Sequence, residues 1–504
     1  MNLLVGGLLA DAADVNPDGI ALTMGDRSLT YRQLERRAAA LTDTLLGCGL
    51  APGGTVVWWC DADLRSPAGF AAVARAGLIF APLNPAYNAE EAASAVAYLR
   101  PVAVVADAAH LPLAAPLMPP GAVLLALDDL SPDATGPLDP DADSPDPDPD
   151  PPARTPPAVD DRSPHIIYLT SGTTGLPKGV VVSHRASWLR SFPGGSTFAA
   201  GLRGDGGILV SFPLFHYGGW HYVLEAWHHR CAFHICPRFD GPSLVAAAAR
   251  WQPVAMYCIP AVWNRVVEAA PDGRGLESVR HADTGTSAAP PALLKTLRRI
   301  MPEATTSVLY GSSEGGHHTT LHDRDVATHP GSVGRVAPPG VIKLSDEGEI
   351  LYRSPTLMDG YFERPAETAA ALDDGWYRTG DLGHMDEQGY LWITGRAREV
   401  IRTGGESVAP PEVEQALAGL PGVSDLAVVG VPDQTWGEIV CLAVVCAEAS
   451  AVPTVADVRH RLGDRLAAFK HPRRVVAVPA IPRTPATGQV QRTLLRDLVV
   501  EAPA

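Results

Sequence analysis

Aromatic residues fill only 6% of the 504 positions, Lys and Arg number 40 against 56 acidic residues, and cysteine occurs seven times. Each shortage excludes something. The deficit of basic residues leaves a formal charge of −16, which disfavours non-specific binding to nucleic acid or to an anionic membrane. Cys48, Cys60, Cys231, Cys236, Cys258, Cys441 and Cys446 form an odd, dispersed set, which argues for reduced thiols rather than a disulfide framework. No uninterrupted apolar run reaches the ~18 residues of a membrane span. The start Met1-Asn-Leu-Leu-Val5 lacks the basic residues of a signal peptide, so the expected location is the cytoplasm. The stretch His228-His-Arg-Cys-Ala-Phe-His-Ile-Cys236 matches no zinc spacing, and its alternating Cys231, Phe233 and Ile235 predict a half-buried strand.

What the chain does have is concentrated between Tyr168 and Gly179. This twelve-residue stretch holds glycines at 172, 175 and 179, hydroxyls at Thr170, Ser171, Thr173 and Thr174, and the cation Lys178. It follows the apolar run His165-Ile-Ile-Tyr-Leu169, which reads as a buried strand. Glycines let the backbone approach an anion and turn successive N–H groups toward it; hydroxyls and a lysine add further donors and charge. The spacing differs from G-x-x-x-x-G-K-[ST], so a Walker-type loop is not indicated.

A hydrophobic fraction of 46% with 19% charged residues is that of a globular chain, long enough for about three domains. Helical periodicity over Thr30–Leu41, with a start signal at Ser28 and Thr30, alternates with the strand-like Gly54–Trp59. A second helix over Gly69–Leu78 precedes the strand-like Ile79–Leu83. This alternation predicts an α/β fold with parallel sheets covered by helices. Between Asp128 and Arg162 the composition turns to Pro and Asp, which cannot bury enough apolar surface to offset its ordering entropy. A mobile acidic excursion over 128–162 is expected.

The string Tyr168–Gly179 closely resembles the phosphate loop of the adenylate-forming superfamily, which includes acyl-CoA synthetases, peptide-synthetase adenylation domains and luciferases. Further stretches continue the resemblance over nearly the whole chain: Pro213-Leu-Phe-His216, Leu309-Tyr-Gly-Ser-Ser-Glu-Gly315, Gly375-Trp-Tyr-Arg-Thr-Gly-Asp-Leu-Gly383 and Gly395-Arg-Ala-Arg-Glu-Val-Ile401. The later Trp436-Gly-Glu438 and Ile481–Arg492 complete the series. The resemblance implies a large N-terminal domain over 1–395, with a β-rich subdomain, followed by a small mobile α+β domain over 396–504. It implies use of ATP, Mg²⁺ and CoA to activate a small-molecule carboxylic acid.

The same resemblance assigns expected roles residue by residue. Lys178 with Thr170, Ser171, Gly172, Thr173 and Thr174 would bind the triphosphate. Gly285, Tyr310 and Ser313 would approach the nucleotide, and Glu314 would ligate Mg²⁺. Asp381 and Arg396 would hold the ribose, Arg398 would be the hinge, and Gly404, Gly405 and Glu406 would line the CoA channel. His216, which from its residue type alone reads as a core or capping histidine, would line the acyl pocket with Tyr217 and Trp220. Two departures stand out. Thr284-Gly-Thr-Ser287 replaces the more usual Ser-Gly-Gly-Ala, and Gln489 occupies the place of the catalytic lysine. Loading of a carrier-protein pantetheine instead of CoA stays open, as does a role as an adenylation-impaired binder of acyl-adenylate.

Overall fold

In the computed structural model, residues 2–130, 155–170, 178–192, 206–287, 289–397, 399–403, 406–446, 452–484 and 488–502 are described. Ser171, Gly172, Thr173, Thr174, Arg398, Gly404 and Gly405 lie outside them, as does 131–154 of the acidic segment. Contacts divide the chain into two compact units. The first comprises Met1–Pro330, Val336–Val341 and Arg353–Tyr377; the second comprises Gly331–Arg335, Ile342–Tyr352 and Arg378–Ala504.

The first unit holds two sheets. One has the strand order Gly360–Tyr361, Lys178–Ser183, Pro164–Thr170, Ile79–Pro82, Thr55–Trp59, Ala103–Ala106, Val123–Ala126. Its last five strands are parallel, whereas Lys178–Ser183 runs antiparallel to both of its neighbours. The other sheet contains the parallel neighbours Phe233–Ile235, Ile208–Val210, Ala255–Tyr257, His281–Gly285 and Val308–Ser312. The expected helix beginning near Thr30 runs from Tyr31 to Gly47, and Thr30 and Gln33 close a reciprocal capping box. Such a cap satisfies two otherwise orphaned N–H donors.

An aromatic cluster joins the layers. Phe70 of the helix Ser66–Arg75 stacks on Trp220 of the helix Tyr217–His229 at 4.4 Å, and Trp220 meets Phe80 edge-on at 5.0 Å. All three are fully buried. Aromatic side chains of this size bury about 150–250 Å² each, so a scarce residue class is spent where it contributes most.

Two sequence expectations change here. Phe233–Ile235 is buried at every position rather than alternating, because a parallel strand between neighbours is covered on both faces. The acidic segment is also shorter than expected at its edges. Leu130 is buried, Asp128 pairs with Arg65 at 2.6 Å, and the buried Asp161 accepts from the Leu3 amide at 3.1 Å.

The second unit is built on the hairpin Val423–Asp433 and Gly437–Cys446; the second of these strands also pairs, along its other edge, with Ile401–Thr403 at Gly437 and with the parallel strand Arg474–Ala477 over Cys441–Val444. Apolar clusters cover both faces, one around Val413, Leu442 and Leu462, the other around Val429, Leu495 and Val499.

Histidine is used mainly as a core residue. Burial pushes His165, His184, His216, His221, His228, His234, His281, His317 and His318 below the ordinary imidazole range, His216 and His228 to about 4 and His221 to about 3. Their folded pKa values lie below the unfolded value near 6.5. Stability is therefore fully present above about pH 6.5 and lost as pH falls toward the folded values, at about 1.4 kcal/mol per histidine per pH unit. Thermal melts should show Tm falling steeply between pH 6.5 and 4.5, less steeply in His228→Gln; a Tm flat across that window would contradict this burial.

Candidate active site

The strand Pro164–Thr170 ends where the glycine-rich stretch begins, and Lys178 opens the returning antiparallel strand, paired with Thr170 across the hairpin. The Thr170 hydroxyl donates to the Lys178 carbonyl at 3.3 Å. Thr170 and Lys178 therefore stand at adjacent points of the sheet. Gly179 is closely bracketed. A Cβ there would sit 2.8 Å from Ile167 Cγ2 and 3.1 Å from Phe362 Cβ. Its amide donates to Tyr98 Oη at 3.3 Å, and its carbonyl accepts from the Phe362 amide at 2.7 Å.

The edge strand Gly360–Tyr361 completes the arrangement. It pairs with Val181 and Val180, which brings the Tyr361 ring 4.8 Å from Lys178 Nζ, within cation–π range. The Tyr361 hydroxyl donates to Glu314 Oε1 at 2.9 Å. A lysine, a tyrosine and a glutamate from three distant stretches thus form one contiguous group beside the glycine-rich stretch. The lysine and the glutamate are expected site residues from the sequence, whereas Tyr361 is not. Its signal, Gly360-Tyr361, is a two-residue strand too short to place without its pairing.

Glu314 lies in the turn between Val308–Ser312 and Gly316–Leu321. Its main-chain carbonyl accepts from the Met358 amide at 2.7 Å and from Arg190 Nη2 at 2.9 Å, while Arg190 Nη1 donates to the Ser313 carbonyl at 3.0 Å. The half-buried carboxylate has Oε1 engaged by Tyr361, and among the described residues no hydrogen bond or ion pair engages Oε2. One carboxylate oxygen near Lys178 fits Mg²⁺, which takes one or two protein carboxylates and completes its shell with phosphates and water. A separate trio of potential metal ligands, Asp61, Asp107 and His110, does not compete. His110 has Nδ1 on Asp107 at 2.6 Å and Nε2 on the Pro85 carbonyl at 3.1 Å, so both ring nitrogens are occupied.

Other expected residues fall nearby in the same unit. Tyr310 is buried edge-on to His318 at 5.0 Å. Gly285 ends its strand so tightly that a Cβ would meet the Leu309 carbonyl oxygen at 2.1 Å and Tyr257 Oη at 2.6 Å. Thr286, at the unusual position, adopts φ +70° and its hydroxyl lies 3.3 Å from Tyr257 Oη. His216 precedes the helix Tyr217–His229, its ring 4.4 Å from Phe215, and it is neutral because burial lowers its pKa to about 4. Tyr217 lies beneath the Arg190 guanidinium at 5.1 Å. Trp220 instead presents no surface: it belongs to the aromatic core with Phe70 and Phe80.

In the second unit, Asp381 and Arg396 face each other across an antiparallel pair, with Arg396 Nε 3.0 Å from Asp381 Oδ1. The Asp381 amide donates to Thr379 Oγ1 at 3.1 Å, which fixes the turn at the positive-φ Gly380. Glu406 starts a short strand paired through Thr403. Gln489 is exposed, with its main chain bonded both ways to Thr484 at 2.8 and 3.1 Å. Arg492 pairs with Glu414 at 2.7 Å and Glu399 at 3.2 Å.

Parallel sheets in which a lysine, a tyrosine and a glutamate meet at the end of the strand that runs into a glycine-rich sequence suit the handling of nucleotide phosphates. Residues 9–362 match the family described as AMP-binding enzyme, and 412–487 match its C-terminal domain. The chain belongs to this adenylate-forming family. It is 32% identical to the long-chain-fatty-acid–CoA ligase FadD13 of Mycobacterium tuberculosis, covering 98% of each chain. It is 31% identical to the indoleacetate–CoA ligase of Aromatoleum aromaticum, over 97% of this chain and 96% of that one. The structure of ATP-bound MatB from Rhodopseudomonas palustris superposes with a TM-score of 0.86 at 25% identity over 99% of both chains. No helix among the described residues is long and apolar enough to cross a membrane.

Titrating ATP in the presence of Mg²⁺ tests the group. Lys178→Ala should weaken ATP binding with the fold intact, and Tyr361→Phe, which deletes a hydrogen bond to a charged oxygen worth about 1.5 kcal/mol, should weaken it about tenfold. Unchanged ATP dependence in both would remove this group from the nucleotide site.

Proposed function

We infer that the chain is an AMP-forming acid–thiol ligase. A carboxylate oxygen attacks the α-phosphorus of ATP, pyrophosphate leaves, and the resulting acyl-adenylate passes its acyl group to the CoA sulfur with release of AMP. The observation that carries this reading is the Lys178–Tyr361–Glu314 group beside the glycine-rich stretch. Cation, hydroxyl and hard oxygen ligand meet where the triphosphate charge must be neutralised. When bound, Mg²⁺ supplies further neutralisation of that charge.

The residue roles complete the proposal. Lys178 and the stretch Thr170–Thr174 hold phosphates, Ser313 and Tyr310 flank the nucleotide, and Gly285 allows close approach. His216 and Tyr217 border the acyl group, with Trp220 supporting them from the core. Asp381 and Arg396 serve the ribose, Glu406 with Gly404 and Gly405 lines the thiol path, and Arg398 is the hinge between functional domains 1–395 and 396–504. The acceptor is CoA; a carrier-bound pantetheine presents the same thiol and is distinguished by assaying both. The acidic balance of the chain and its scattered cysteines support a cytoplasmic location away from nucleic acid and lipid.

Gln489 shapes the kinetics. A neutral amide donates a hydrogen bond but cannot neutralise the charge that develops between carboxylate and α-phosphate. Loss of one such preorganised group costs on the order of 10²–10³ in rate. Adenylation should therefore be slow while thioester formation from a supplied acyl-adenylate proceeds. A panel of carboxylic acids assayed for acid-dependent AMP release, with thioester detected by mass, tests the activity; no acid-dependent AMP in either the parent or Gln489→Lys would overturn it. In the same panel Gln489→Lys should raise acid-dependent pyrophosphate exchange about 10²-fold with little change in CoA consumption from acyl-adenylate. Unchanged exchange would refute the role given to residue 489.

A further inference from the structure

Arg190 lies in the last turn of the helix His184–Ser191, which continues directly from the strand that Lys178 opens. Its side chain is buried, and each of its three nitrogens donates to a main-chain carbonyl: Nε to Thr356 at 2.8 Å, Nη1 to Ser313 at 3.0 Å and Nη2 to Glu314 at 2.9 Å. Among the described residues no carboxylate lies within ion-pair distance of it. Space has been cleared for the stem, since a Cβ at Gly316 would sit 3.0 Å from Arg190 Cγ and 3.2 Å from Cδ and Nε.

Removing a guanidinium from water costs several kcal/mol. Three carbonyls could be satisfied more cheaply by water or hydroxyls, as Thr356 Oγ1 already does for the Gly315 carbonyl at 2.9 Å. What water cannot do is hold three carbonyls in one plane. The fork of arginine is rigid, so it locks the 313–314 turn to Thr356, on the segment that leads into Tyr361. Both acceptor directions of the Glu314 carbonyl are then used, by Arg190 and by the Met358 amide. The Glu314 backbone has little freedom left, and its carboxylate stays within reach of the Tyr361 hydroxyl.

We propose that Arg190 is a positioning residue for the metal–nucleotide site: it touches no reacting atom but fixes the direction of the Glu314 carboxylate toward Mg²⁺ held on the ATP phosphates. This rests on the reading of Glu314 as the metal ligand. Partners that orient a ligand typically change metal affinity 10–100-fold when altered, and that range sets the expected effect.

The test is calorimetric binding of ATP to the full chain with and without Mg²⁺, in Arg190→Met, the milder Arg190→Lys, Glu314→Gln and the double variant Arg190→Lys/Glu314→Gln. Each protein's melting temperature is recorded alongside. Arg190→Lys should lose about tenfold of the Mg²⁺-dependent gain in ATP affinity while binding metal-free ATP as the parent does. The double variant should lose no more than Glu314→Gln alone. A lowered Tm with the Mg²⁺-dependent gain intact, or losses that multiply in the double variant, would overturn the positioning role alone. An undiminished Mg²⁺-dependent gain in Glu314→Gln would bring down the reading of Glu314 and this proposal with it.

Discussion

The hydrogen bond from Tyr361 to Glu314, made beneath the Lys178 cation, is the contact on which the site depends. It is possible because a two-residue strand adds to the edge of a sheet through antiparallel pairing with Val180 and Val181. A one-residue slip in that register would send the tyrosine to the opposite face of the sheet. The bracket around Gly179 guards against such a slip, for Tyr98 Oη both accepts from the Gly179 amide and donates to the Phe362 carbonyl at 2.6 Å. A residue that makes no claim on chemistry thereby sets where the lysine stands.

Behind this contact the fold works as rigid support. Thr170 and Lys178 end and open two paired strands of a sheet whose central members are parallel and buried on both faces. The Glu314 turn closes a hairpin at the end of the other sheet. The aromatic contacts of Phe70, Phe80 and Trp220 tie the layers that carry these elements. Functional residues sit on loops, and position comes from the strands that launch them. Trp220 illustrates the division of labour: large-to-small replacement of a buried aromatic costs ~3–5 kcal/mol, so its substitution reports on stability before it reports on any acyl pocket.

Much of this was legible in the residues. The capped helix after Thr30 and the strands around Trp59 and Ile79 follow from local chemistry, and the structure reproduces those elements. Arg190 and Tyr361 were not legible as site residues, because their significance lies in partners far along the chain. A Trp-Leu-Arg-Ser stretch on a short helix carries no hint that its guanidinium will meet three carbonyls from two other segments. Trp220 misled for the related reason that an aromatic beside a glycine-rich turn fits a pocket wall and a core equally well until packing decides. The strand Phe233–Ile235 departed from alternation because a central parallel position suppresses the period that sequence reading relies on.

The account's central claim is that the Lys178 strand, the Glu314 turn and the Tyr361 edge strand behave as one nucleotide-binding unit. Amide hydrogen exchange measured on addition of a non-hydrolysable ATP analogue with Mg²⁺ addresses this most directly. Peptides covering 178–183, 312–316 and 358–362 should slow together on binding. Protection confined to 178–183, with the other two segments exchanging as in the free protein, would contradict it.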